Sequence, residues 1–201
     1  MIQRYNTNVK RGDHWAGYRL IGGNLALDFV NTVGYRRKFS KRLEYLQTDS
    51  DLAKWAKLAG IAGPGDHIRA GEAVRLREAL YRILGARLRG SSPYRPDMDL
   101  LNRFVRRART GWKLEGRRTG WTWQWIGGGD VSYPLARVAE AAAQLLTSKD
   151  LWLLRQCADT DCGWLFIDRS QGLRRKWCSM QDCGNRAKVR RFFAKTPRRP
   201  K

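Results

Sequence analysis

Cys157-Ala158-Asp159-Thr160-Asp161-Cys162 is followed, fifteen residues later, by Cys178-Ser179-Met180-Gln181-Asp182-Cys183, and these two runs hold all four cysteines of the 201-residue chain. Two C-x4-C pairs separated by a longer segment suit a tetrahedral ion: each pair wraps it as a knuckle while the segment between folds back. Two disulfides are the competing reading, and they belong to exported chains. The opening residues Met1-Ile2-Gln3-Arg4-Tyr5-Asn6 lack the apolar run of a secretory signal, so a cytoplasmic, reducing location is expected. Four unrelated thiols would not fall as matched pairs within 27 residues. Cys157, Cys162, Cys178 and Cys183 are therefore the expected ligands of one structural Zn2+, with an iron centre as the lesser alternative. Four thiolates leave no open coordination position, and neither His14 nor His67 is near in sequence, so no metal chemistry is expected.

Charge points to the partner. Forty Lys+Arg against 18 Asp+Glu give a net charge of +22 and a pI near 10.8. Such a field draws polyanions, nucleic acid ahead of acidic lipid. No apolar run approaches the roughly 20 residues that cross a bilayer, so no membrane partner is expected.

Upstream of the cysteines the apolar periodicity is mostly helical. Residues 1–20 are polar and basic and are expected to form a flexible arm. Asn24 is placed to cap Leu25-Ala26-Leu27-Asp28-Phe29-Val30-Asn31-Thr32-Val33, in which Asp28 and Asn31 are polar residues three apart. They either satisfy buried backbone groups, the favoured reading, or line a ligand cavity. A basic loop covers residues 35–42. Thr48-Asp49-Ser50-Asp51 offers caps for a helix stopped at Gly60, and Pro64-Gly65-Asp66 is expected to open a long helix to Leu88. A further helix from Asp97 turns Arg103, Arg106, Arg107 and Arg109 outward. The period then changes to two. Trp112, Leu114, Trp121, Trp123 and Trp125 alternate with polar residues, as in a hairpin whose aromatic face is expected to join the core, with stacking on bases or an aromatic effector as the lesser reading. Pro134 starts the last helix before the periodicity lapses near residue 149.

Between the cysteine pairs, Trp164-Leu165-Phe166-Ile167 and Arg174-Arg175-Lys176-Trp177 are expected to pair as a hairpin around Ser170-Gln171-Gly172. After Cys183, residues 184–195 suggest a helix with Val189, Phe192 and Phe193 packed on that hairpin and the cations outward. From Cys157 to Lys201 there are 12 Lys+Arg against four Asp. The one-signed charge makes Arg174, Arg175, Lys176, Asn185, Arg186, Lys188, Arg190, Arg191 and Lys195 the candidate nucleic-acid contacts. The fold class expected is α+β, mainly α: a basic arm (1–20), a helical domain with a Trp-rich hairpin (21–149), and a treble-clef-like module of knuckle, hairpin and helix (150–201).

The run Trp177-Cys178-Ser179-Met180-Gln181-Asp182-Cys183-Gly184-Asn185-Arg186-Ala187-Lys188 resembles the signature of CGNR zinc-finger proteins, and Cys162-Gly163-Trp164-Leu165-Phe166-Ile167-Asp168 with Ser170 fits the same pattern. Residues 25–32 resemble the start of the ABATE domain that precedes this finger. The resemblance implies a bacterial-type, stress-induced transcription regulator with a DNA-binding finger, and assigns the four cysteines to the metal. At Gln171-Gly172 the chain departs from the family pattern, where a basic residue and Asn are common. A DNA-binding regulator is thus the leading expectation, with the larger domain serving dimerisation or sensing a small effector. An RNA-binding protein using the same surface is the alternative. The sequence carries no catalytic His cluster, phosphate loop or nucleophile motif, so an enzyme is not expected.

Overall fold

The computed structural model describes residues 15, 17–63, 69–127 and 132–195. Most of the expected arm, the helix opening at Pro64-Gly65-Asp66 and the tail 196–201 lie outside the described residues.

The architecture is α+β and mainly helical. The shortest helix, α1 (Leu25–Val30), is buried on nearly every side, and the chain packs around it. Asn24 caps it, its side chain accepting the Ala26 N–H at 2.8 Å. Asp28 Oδ1 reaches back to accept the Gly22 N–H at 2.8 Å, which turns the preceding segment onto the helix. α2 (Asp49–Leu58) starts in a reciprocal capping box between Thr48 and Asp51 and buries Leu52, Trp55 and Ala56. α3 (Ala70–Leu88), α4 (Arg95–Thr110) and α5 (Tyr133–Thr147) supply the remaining helical walls, and α1 packs against α3 and α5. α4 starts two residues before Asp97, with proline in its first turn, where no N–H is needed.

A short ribbon, β1 (Val33–Gly34) with β2 (Leu43–Glu44), brackets the expected basic loop at its two ends. A buried cation holds it. Arg77 of α3 is fully buried and gives both terminal nitrogens to Glu44, at 2.5 and 2.7 Å, with a further bond to the Thr32 carbonyl at 3.1 Å. A guanidinium taken from water requires this degree of pairing.

β3 (Trp112–Arg117) and β4 (Gly120–Trp125) form the expected hairpin, with Trp112 opposite Trp125 and Leu114 opposite Trp123. Only the base of its aromatic face meets the core, where Trp125 packs against it. Trp112 and Trp125 pack edge-on with Tyr133, but Leu114, Trp121 and Trp123 are exposed.

The cysteine region also differs from expectation. β6 (Leu165–Ile167) pairs with β5 (Leu154–Gln156), which precedes the first cysteine, and residues 174–177 form no strand. The far edge of β6 is already taken. Asn31 donates to the Leu165 carbonyl at 2.8 Å and accepts its N–H at 2.9 Å, and Ile167 N–H reaches the Gly22 carbonyl at 2.8 Å. One continuous apolar core therefore runs from Leu27, Phe29 and Leu80 through Trp164, Leu165 and Phe166 to the four cysteines.

Two stability measurements test this. Asn31→Ala strands a buried donor and a buried acceptor on Leu165 and is expected to cost about 2–5 kcal/mol in urea unfolding. A loss within the scatter of surface substitutions would show that this bond does not hold the strand. Asp28 is raised from the ordinary carboxylate value to about 7, chiefly by burial, although backbone N–H groups of Gly22 and Ile21 oppose the shift. An unfolded Asp ionises near 3.8. Between about pH 4 and 7 the folded state therefore holds the extra proton, and stability falls as pH rises across that window. Asp28→Asn should remove this slope, so that its stability relative to the parent grows from pH 4 to pH 8.

Candidate metal centre and its basic face

All four cysteine Sγ atoms are buried and lie within 4.8 Å of one another. Cys162 and Cys178 are 3.6 Å apart and Cys178 and Cys183 3.4 Å, with no disulfide between them. A tetrahedron with zinc–sulfur bonds of about 2.3 Å has edges of roughly 3.8 Å. The donor set and spacing therefore fit one structural zinc ion held by Cys157, Cys162, Cys178 and Cys183. Without a cation such crowding is untenable for four thiolates. Hydrogen bonds from the other three sulfurs, Cys162 first, pull the Cys157 pKa down, and the same crowding pushes Cys178 and Cys183 up. A divalent ion allows all four to be thiolates together.

The first knuckle runs from β5 to β6, closed by Cys157 N–H on the Trp164 carbonyl at 2.8 Å. At its centre is Asp159, fully buried. One carboxylate oxygen accepts the Asp161 N–H at 2.9 Å, and the other accepts Arg186 Nε at 3.2 Å and Arg190 Nη2 at 2.8 Å. Burial alone would raise the Asp159 pKa, but the Asp161 N–H and the two guanidiniums hold it below the usual carboxylate range. Nothing in the residue pattern marks this role, because Asp159 is one of two aspartates in the knuckle. Segment 36–37 was missed as well: its N–H groups bond to the Cys162 and Asp161 carbonyls, at 2.9 and 3.1 Å.

The second knuckle is a single π-turn, Met180–Gly184, capped by Ser179 and followed directly by α6 (Asn185–Lys195). Each member of Cys183-Gly184-Asn185-Arg186 has an internal task. Cys183 is a ligand. A Cβ at Gly184 would lie 2.4 Å from Met180 Sδ, so the glycine gives that side chain its place against the turn. Asn185 Nδ2 bonds to the Gln181 carbonyl at 2.8 Å, fastening α6 to the turn. Arg186 Nη2 donates to Cys183 Sγ at 3.0 Å, and its guanidinium lies 5.2 Å from the Tyr35 ring centre. Burial would lower the Arg186 pKa, but the Cys183 thiolate and Asp159 carry it upward. A zinc tetrathiolate has two net negative charges, and Arg186 is placed to offset part of them.

The candidate cations thus divide. Arg186 and Arg190 hold Asp159. Arg175 donates to the Cys178 carbonyl at 2.6 Å and the Ile21 carbonyl at 3.2 Å, and lies over the Phe166 ring. Arg174, Lys176, Lys188 and Arg191 are exposed, with Arg191 Nε reaching the Ala187 carbonyl of its own helix at 3.3 Å. The Lys195 side chain lies outside the described residues. Asp28 and Asn31 are engaged in the fold contacts given above. Val189, Phe192 and Phe193 do not pack on the module as expected: they are 52%, 66% and 69% exposed, and α6 buries only Ala187. With residues 174–177 out of the sheet, no hairpin surface lies beneath them.

Because the thiolates belong to the common core, metal loss should be felt along the chain. Cys178→Ser is expected to lose the zinc, measured by metal analysis after dialysis, and to lower the melting temperature of the helical signal, most of which comes from α2–α5. An unshifted helical melt in the metal-free variant would separate the two parts.

Among the described residues no helix is long and apolar enough to cross a membrane. Two family models match the chain. The ABATE model, described as "Putative stress-induced transcription regulator", covers residues 23–149, and the CGNR zinc-finger model covers residues 154–196. No curated protein matches it. The first match spans more than half of the sequence and the second contains every metal ligand, so the chain belongs to the ABATE family and carries a CGNR zinc finger at its C-terminal side.

Proposed function

We propose that the protein is a DNA-binding transcription regulator whose zinc module docks duplex DNA through the exposed cations of its outer face. The observation that carries this reading is the fate of the module's acids. Of the four aspartates from Cys157 onward, Asp159 and Asp168 are fully buried and bonded internally. Asp168 accepts the N–H groups of Ser170 and Arg175, at 2.9 and 3.0 Å, and shapes the turn between them. The exterior is left with Asp161 and Asp182 against Arg174, Lys176, Lys188 and Arg191. With four exposed cations against two acids, one of them half-buried, that surface suits phosphate, because each neutralised phosphate releases a condensed counterion. The zinc has a mechanical role: it fixes the knuckles, which fix the direction of α6. Arg186, Arg190 and Arg175 keep that geometry, and contact with phosphate falls to the cations they leave outside.

This division selects the variants for a test. Lys188→Ala with Arg191→Ala leaves every metal-site contact in place. Duplex affinity is expected to fall, and the slope of log K against log salt to flatten by about 1.8, two phosphates at roughly 0.9 each. Selection of bound sequences from a random duplex library tests the regulatory part, since a regulator should recover a motif. An unchanged salt slope would place DNA on another surface, and recovery of no motif would leave only non-specific binding.

A further inference from the structure

Trp121 and Trp123 are 76% and 64% exposed, on the same face of the β3–β4 ribbon as Leu114, which is 48% exposed. Burying one large apolar side chain is worth roughly 1.5–3 kcal/mol, and both indoles forgo most of it. Among the described residues no other ring and no cation packs on either indole.

Trp121 nonetheless has a defined seat. It stands opposite Gly116 in the register, and its Cζ3, Cη2 and Cε3 atoms lie 2.7, 3.0 and 3.1 Å from the place a Cβ would take there. The benzo ring therefore lies on bare backbone, with one face against the strand and the other open. Any side chain at residue 116 would lift it. The result is a flat aromatic platform in water, held by the close approach that only glycine permits.

Its surroundings indicate what lies on it. Residues 102–127 contain seven Lys+Arg and a single acid, Glu115, which is paired to Arg117 at 3.0 Å. Lys113 and Arg117 occupy the opposite face of the ribbon and Arg118 its tip. A second copy of the chain would bring the same cationic ribbon and another +22 of charge, and like charges oppose that pairing. A ligand that is both anionic and made of flat rings satisfies the two features together. Trp121 and Trp123 are two residues apart on one strand, a separation of about 6.8 Å. That is twice the ~3.4 Å step of stacked bases in a duplex, whose ring faces are in any case covered by their neighbours.

We propose that the Trp121–Trp123 face is a stacking platform for the unpaired bases of a single-stranded nucleic acid, carried on a different element from the duplex-binding face of the zinc module. Each indole takes one base, and the cations around the ribbon attract the phosphates between them. Stacking of this kind tolerates any base, so binding is expected to be indifferent to sequence.

The test uses the full chain and fluorescently labelled oligothymidylate, oligouridylate and a mixed-sequence duplex, followed by anisotropy. Trp121→Ala with Trp123→Ala is expected to weaken binding of at least one single strand by about thirty-fold or more, from ~1 kcal/mol or more per stacked base. Duplex affinity should move by less than about threefold, and the salt slope should stay unchanged because no charge is removed. The pair Trp121→Phe, Trp123→Phe keeps a ring at both places and should retain most of the affinity, which separates stacking from any effect on folding. The better-bound strand identifies the polymer. Unchanged affinity for both single strands would overturn the proposal, as would equal losses on single strand and duplex. Sedimentation of a parent dimer that becomes monomeric in the Ala pair, with single-strand binding intact, would assign the face to a second copy instead.

Discussion

The Asn31 side chain closes both backbone groups of Leu165, and the relation between the two parts of this protein depends on that exchange. β6 is only three residues long and would be a marginal strand with one neighbour. With β5 on one edge and the Asn31 amide and Gly22 carbonyl on the other, its backbone is satisfied on both sides. A side-chain amide presents a donor and an acceptor side by side, as the edge of a strand does, so Asn31 acts as a neighbouring strand one residue wide. The Trp164 indole extends the same seam, donating to the Val33 carbonyl at 2.7 Å. The zinc knuckles are therefore built on a strand that the helical domain completes.

That arrangement explains how so basic a module encloses acids. A buried carboxylate is costly unless each lone pair is met, and an isolated small module has few donors to meet them. Asp159 and Asp168 are met by arginines and backbone N–H groups of the module itself, at positions where the metal and β6 have already ordered the chain. The cations so engaged, Arg186 and Arg190, both reach Asp159, and Arg186 also reaches Cys183 Sγ. Inner cations balance inner anions, and the surplus lies outside. The sign of the surface thus follows from how the site is neutralised, as well as from the composition.

The parts of this structure set by short-range chemistry were legible in the sequence. The cysteine spacing placed the ion, Asn24 and the Thr48 region marked helix starts, and the alternating tryptophans marked a ribbon. Errors arose where a distant partner decided the outcome. Residues 174–177 stand where the return strand of a hairpin would fall, yet the edge they would have joined belongs to residues more than a hundred positions earlier. Periodicity places Val189, Phe192 and Phe193 together on α6 without stating whether any surface lies beneath them. The tryptophan ribbon presents the same problem: alternation separates an apolar face from a polar one and leaves open how much of that face is covered. Arg186 was legible as a cation, but its engagement with Asp159 and Cys183 follows from the turn of the second knuckle.

A structural ion usually has local authority, holding a small unit whose loss leaves its neighbours intact. Here the thiolates share a core with Leu27, Phe29 and Leu80, and segment 36–37 is bonded to the first knuckle while Arg36 pairs with Glu78 of α3 at 2.5 Å. Strain at the ion is carried by hydrogen bonds into β1 and α3, and displacement of α1 reaches the ion through Asn31 and Leu165. The coupling is reciprocal by thermodynamic necessity. Whatever stabilises the helical domain also raises the affinity of the thiolates for zinc, by the same free energy with which zinc stabilises the helices. A shared core of this kind predicts that the domain and the finger unfold together, which would make the direction of α6 a property of both.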